Sequence, residues 1–160
     1  MDPTFEMNDP IKTEFDWDLL LAQGREALDD PATCWNQSRQ ARALWYRLHR
    51  SVTLPPIKGK TRWLLRRNLD GRYLILTRSR TRAYILRKMF SQEKGLRYYD
   101  PQQVPNIIYL DELDDYRFSK TYEEIILLEA QRIFRHHEAK KIYRHLLDAC
   151  APESVFVQLG

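Results

Sequence analysis

The chain has 160 residues, of which 43% are hydrophobic and 12% aromatic, and a formal net charge of +4. That is too apolar for a disordered chain, the length suits one domain around one core, and two cysteines far apart in sequence, Cys34 and Cys150, argue against a disulfide framework or a zinc site. The sequence holds no run of about 18 apolar residues and no apolar stretch behind a basic start, so the expectation is a soluble, intracellular protein, cytoplasmic or nuclear, without a membrane partner.

Charge is segregated along the chain. Residues 1–34 hold two basic and nine acidic side chains, residues 35–97 seventeen and two, and residues 98–160 seven and eleven. A middle third with that surplus attracts phosphate-rich partners to whichever face displays it.

Residues 1–15 carry Pro3, Pro10 and few apolar groups, and read as a flexible acidic arm. Within it Ile11-Lys12-Thr13-Glu14 fits a short pattern for attachment of a ubiquitin-like modifier. Residues 16–160 are expected to form one globular domain with a basic middle (35–97) and a long C-terminal helix (121–149). Trp17, Leu20, Leu21 and Leu28 repeat at helical spacing behind Asp16 as N-cap, which predicts a helix over 16–29. The alternation of acids with bulky apolar groups from Glu14 to Leu21 also suits a helix that docks in a partner's groove. A second helix is expected from Trp35 to Arg50, with Arg39, Arg42, Tyr46 and Arg50 along one face.

After Pro55-Pro56, residues 62–78 read as an antiparallel β-hairpin turning at Asp70-Gly71. A third helix is predicted from Ser79 or Thr81 to Gln92, its first turn carrying Arg80 and Arg82, where the helix dipole disfavours cations unless an anion sits between them. Asn106 to Leu110 suits a short strand, and Thr121 with Glu124 forms a capping box for the last helix, with a bend expected near His136-His137. The expected fold class is α+β: about four main helices packed with a small antiparallel hairpin, with room for a third short strand. A winged-helix-like arrangement is one way to pack them.

The stretch from Lys58 to Lys88 holds eleven Lys and Arg against one acid, interleaved with Trp63, Tyr73 and Tyr84. Planar guanidinium groups suit phosphate, and the rings offer platforms for unpaired bases. The principal expectation is therefore a non-enzymatic nucleic-acid-binding protein, for DNA or RNA. Its phosphate contacts would come from Arg39, Arg42, Arg50, Lys58, Lys60, Arg62, Arg66, Arg67, Arg72, Arg80 and Arg82, with Tyr46 and Tyr73 as stacking residues. The alternative is an interaction subunit whose basic face docks an acidic protein partner.

A third reading is a degenerate nucleotide site or a metal-dependent nuclease. Gly59-Lys60-Thr61 matches the last three positions of a phosphate-binding loop, and Ile107 to Glu112 matches the apolar strand ending in acids that holds magnesium in nucleotide hydrolases. Against it, the loop needs a glycine where Leu54 stands, and Pro55 and Pro56 remove amide donors. Asp111, Glu112, Asp114 and Asp115 could hold a metal only if brought within a few ångström of one another, and His137 and His145 stand two helical turns apart rather than one. No catalytic residue, metal or cofactor is expected.

Overall fold

A computed structural model describes residues 16–29, 37–56 and 58–160; the acidic arm, the modifier pattern and Cys34 lie outside the described residues. The elements in chain order are α1 (Trp17–Glu26), α2 (Arg39–His49), β1 (Ser51–Leu54), α3 (Lys60–Arg66), β2 (Tyr73–Thr77), α4 (Arg80–Glu93) and β3 (Asn106–Tyr109). A 3-10 turn (Leu110–Asp115), β4 (Tyr122–Leu128), α5 (Ala130–His136), α6 (Ala139–His145), a second 3-10 turn (Leu147–Ala149) and β5 (Cys150–Leu159) complete it. The strands form one sheet in the order β1-β5-β4-β2-β3, and every pairing is parallel.

The expected α+β fold with an antiparallel hairpin is therefore overturned: the protein is an α/β structure with helices on both sides of a parallel sheet. Alternating strand residues divide the core. Val52, Leu54, Ile75, Ile126, Leu128 and Val157 face α1, α3 and α4. Leu74, Leu76, Ile125, Leu127 and Phe156 face α2, α5 and α6. A sheet covered on both faces makes its central strands apolar at every position. Among the described residues no helix is long and apolar enough to cross a membrane.

Two segments account for the correction. Trp63 and Leu64 are adjacent and both buried on the same side of the sheet. A strand sends neighbours to opposite faces, whereas a helix lying on the sheet buries both, so 60–66 coils into α3. Gly59, at φ 104°, leads into that helix, and Asn68, at φ 57°, follows it. Asp70-Gly71 then serves as a loop entering β2, with the Asp70 carboxylate accepting from the Arg72 amide at 2.9 Å. β2 has parallel neighbours on both sides and no room for an antiparallel partner.

The helix predicted over 121–149 is likewise a strand, two short helices and a 3-10 turn. Ile125 to Leu128, apolar on all sides, is the pattern of a central strand buried on both faces. Glu124 caps nothing. It is 1% exposed and accepts from Arg67 Nη1 at 2.6 Å, from Arg67 Nη2 at 3.1 Å and from Arg25 Nη1 at 3.1 Å. His137, in extended backbone, separates α5 from α6.

The remaining helices follow their sequence signals. Asp16 accepts from the Leu19 amide at 2.9 Å to start α1, and Ser79 accepts from the Arg82 amide at 3.2 Å to start α4. Trp17 and Leu21 are buried in the core, which is the core-helix reading of that segment rather than docking in a partner's groove. Gly24 lets α1 lie directly on β1, since a Cβ there would stand 2.4 Å from Val52 Cγ1.

Arg67 is the C-cap of α3, so its bidentate pair with Glu124 ties that helix to the middle of the sheet. Burial alone would make the Arg67 guanidinium easier to deprotonate, but the hydrogen bonds and charge of Glu124 outweigh it and hold the group charged. Removing one partner strands a buried charge. Glu124→Ala should therefore lower stability by about 3 kcal/mol. Thermal unfolding would register this as a fall in Tm of roughly 6–12 °C, and an unchanged Tm would refute the clamp.

Candidate functional site

In a parallel sheet all strand C-terminal ends lie along one edge, and ligands of open α/β sheets bind outside that edge. Here the edge gathers Pro55, Pro56 and Lys58 to Thr61 after β1, Arg78 to Arg82 after β2, and Glu129 after β4. Between them lies a cavity of about 1050 Å³ lined by Lys58, Gly59, Lys60, Thr61, Arg62, Arg66, Arg67, Arg82, Asp16, Trp17, Asp18, Trp63 and Glu129. Six cations thus face three carboxylates.

Two of those carboxylates are already occupied. Asp16 caps α1, and Asp18 accepts from Trp63 Nε1 at 2.8 Å. Trp63 stacks on Trp17 with centroids 5.5 Å apart, which closes one wall of the cavity with two buried indoles.

Glu129 is the third. It is the residue after β4 and has φ 59° and ψ 46°, a left-handed conformation that a residue with a Cβ rarely adopts. Its carbonyl accepts from the Arg132 amide at 2.9 Å and from the Ile133 amide at 3.2 Å, so α5 starts there. The side chain is 15% exposed and ringed by arginines: Arg78 Nε and Arg82 Nε each stand 3.4 Å from Oε1, and Arg132 Nη1 stands 3.8 Å from Oε2. Only the Arg78 contact is aligned as a hydrogen bond. The Nε of Arg82 is buried with no hydrogen-bond acceptor, so its donor is left unsatisfied at the cavity wall.

The sheet distributes the thirteen sequence-predicted site residues over both of its ends. Lys58, Lys60, Arg62, Arg66, Arg67 and Arg82 come together in the cavity, and Arg80 stands exposed on the first turn of α4. Among the described residues Lys58, Lys60, Arg62, Arg66 and Arg80 form no ion pair, whereas Arg67 is held by Glu124. At the opposite edge Arg72 pairs with Asp70 at 3.0 Å, and Arg39 pairs with Asp148 at 2.9 Å. Arg50 is buried and donates to the carbonyls of Asp29 at 2.8 Å and Glu153 at 2.7 Å. Arg42 lies on α2, on the far side of the sheet from α3. Tyr46 is fully buried with its hydroxyl donating to the Ala151 carbonyl, and Tyr73 is half-buried beneath Arg67 and Arg72.

The acids after β3 take no part in this cavity. β3 is the edge strand farthest from β1, and neither Asp111 nor Glu112 lines the cavity that holds Lys60. Glu112 accepts from the Tyr109 amide at 3.1 Å, Asp114 pairs with His145 at 3.0 Å, and among the described residues no group of three His, Cys, Asp or Glu could hold a metal ion. The carboxylate that follows a strand and shares a cavity with Gly59-Lys60-Thr61 is Glu129. Its signal in the sequence is the apolar run Ile125 to Leu128 ending in an acid, the pattern read instead at Ile107 to Glu112. No protein-family model matches the chain, and no curated protein matches it.

The left-handed backbone of Glu129 has a direct test. Glu129→Ala and Glu129→Gly remove the same carboxylate, but only glycine adopts this conformation without strain. Denaturant unfolding should therefore find Glu129→Gly the more stable of the two by about 1 kcal/mol.

Proposed function

We propose that the protein binds a nucleoside triphosphate by its phosphates in the cavity between Gly59-Lys60-Thr61 and Glu129. The observation that carries this reading is the lining of that cavity, in which the lysine and hydroxyl following β1 and the carboxylate ending β4 border one space at the C-terminal edge of a parallel sheet. Four cations there, Lys58, Lys60, Arg62 and Arg66, have no ion pair among the described residues, and Arg82 adds a fifth cation to the lining.

The loop departs from a complete phosphate-binding loop in a way that the packing explains. Leu54 is 3% exposed and pairs with Leu159 as the last residue of β1, so the position where that pattern has glycine belongs to the core. Pro55 and Pro56 offer no amide hydrogens. Phosphate contact therefore falls to side chains rather than to consecutive amides. Binding of this kind is more dependent on individual cations and more sensitive to salt than an amide cradle.

The exposed cations of the rim support a second reading, contact with the phosphates of a nucleic acid, which shares the same chemistry. The two readings separate by competition: a triphosphate seated in the cavity is displaced by unlabelled triphosphate but not by an oligonucleotide confined to the rim.

Titration of a fluorescent ATP analogue should give saturable binding. Lys60→Ala should weaken it by about tenfold or more, since a charged donor is lost at the phosphates. Arg72→Ala, at the opposite edge, should leave it unchanged. Absence of binding at about 50 mM salt, or equal loss in both variants, would refute the reading.

A further inference from the structure

Glu129 stands between two cavities. On the side away from Lys60, Arg78, Ser79, Leu110, Asp111, Arg132, Arg135 and His137 enclose a second space of about 460 Å³. Arg78 and Arg132 line it while reaching back to Glu129, and Arg135, exposed one helical turn beyond Arg132, forms no ion pair among the described residues. Three guanidinium groups thus meet one carboxylate, Asp111, in the wall.

We infer that this second cavity is a phosphate site, and that Glu129 is its internal competitor. The contacts of Glu129 with Arg78 and Arg132, at 3.4 and 3.8 Å, are longer than the roughly 2.7–2.9 Å of a well-formed charge-assisted hydrogen bond. Both arginines are half-exposed, with 43% and 58% of their side-chain surface open, so they can turn outward without breaking core contacts. A phosphate group bound by Arg135 offers the same two arginines three oxygens in place of one distant carboxylate. Binding there and pairing with Glu129 therefore draw on the same two guanidinium charges. The second site does not depend on the nucleotide reading of the first, because Lys58, Lys60 and Arg62 do not line it.

The phosphate could come from a nucleic-acid strand or from a free phosphate compound, and the experiment separates them. Fluorescence anisotropy with a labelled single-stranded oligonucleotide of about twenty nucleotides, at about 50 mM salt, reads the strand directly. Inorganic pyrophosphate as competitor, and by calorimetry alone, reads the free compound. Arg135→Ala should weaken whichever of the two binds by about fivefold or more. Glu129→Gln keeps the side chain's size but removes the competing charge, and should tighten the same binding by about threefold or more. A merely structural Glu129 would not produce a gain. Arg72→Ala, at the opposite edge of the sheet, should leave this binding unchanged.

Pyrophosphate binding that Arg135→Ala weakens, without strand binding, assigns the site to a small phosphate compound. Strand binding that depends on Arg135 and resists pyrophosphate assigns it to nucleic acid. Failure of both probes to bind, an affinity indifferent to Arg135→Ala, or weaker binding in Glu129→Gln with an unchanged Tm, would overturn the inference. If ATP fails to bind while these effects hold, the nucleotide reading falls and the second site stands.

Discussion

The pair between Arg67 and Glu124 fixes the geometry on which the cavity depends. Glu124 sits in β4, five residues before Glu129, and Arg67 closes the far end of the helix that begins at Lys60. One buried contact therefore sets the helix antiparallel to the strand, with Lys60 and Thr61 level with the strand's C-terminal end. Arg25 adds a third bond to the same carboxylate and brings α1 into register, which places Trp17 and Asp18 against Trp63. A carboxylate buried in an apolar strand is costly unless every oxygen is paired, and here both are. The energy of this arrangement lies less in attraction than in the penalty for any other placement of α3.

What was legible in the sequence was local. Caps at Asp16 and Ser79, the apolar stripes of α1 and α4 and the short strand at 106–109 could each be read from neighbouring residues, because the physics that makes them acts over three or four positions. The parallel sheet was not legible in that way. Its partners are distant in sequence: Ser51 lies beside Phe156, and Tyr73 beside Glu124. A strand buried on both faces loses the two-residue alternation that identifies strands, so Tyr122 to Leu128 resembles a buried helix until its neighbours are known. Thr121 and Glu124 reinforced the error by matching a capping box, when Glu124 was instead the partner of two arginines fifty-seven and ninety-nine residues away.

The site followed the same rule. The charge map correctly placed most of the basic surplus in the middle third, and six of the eleven predicted cationic contacts do line one cavity. The others are dispersed by topology: an arginine before a parallel strand and one after it end up on opposite edges of the sheet, however close in sequence. Arg72 and Arg78 flank β2 and are separated by its whole length. Glu129 could have been found only by knowing which apolar run ends at the cavity that α3 borders, and β4 does so although β5 stands between it and β1.

Glu129 unites these threads because it is under three demands at once. Its backbone must turn left-handed to pass from β4 into α5, its carboxylate must balance the arginines that the sheet edge collects, and it must share Arg78 and Arg132 with a second cavity. The cations of the first turn of α4, unfavourable beside the helix dipole, are tolerated because Glu129 supplies the anion that Arg82 lacks within its own helix. None of its ion pairs is short, and one arginine nitrogen beside it has no hydrogen bond at all. A carboxylate serving three loosely held guanidinium groups is a weak lock. The excess of positive charge over available carboxylate oxygens at this edge leaves exposed cations with which a further anion can pair.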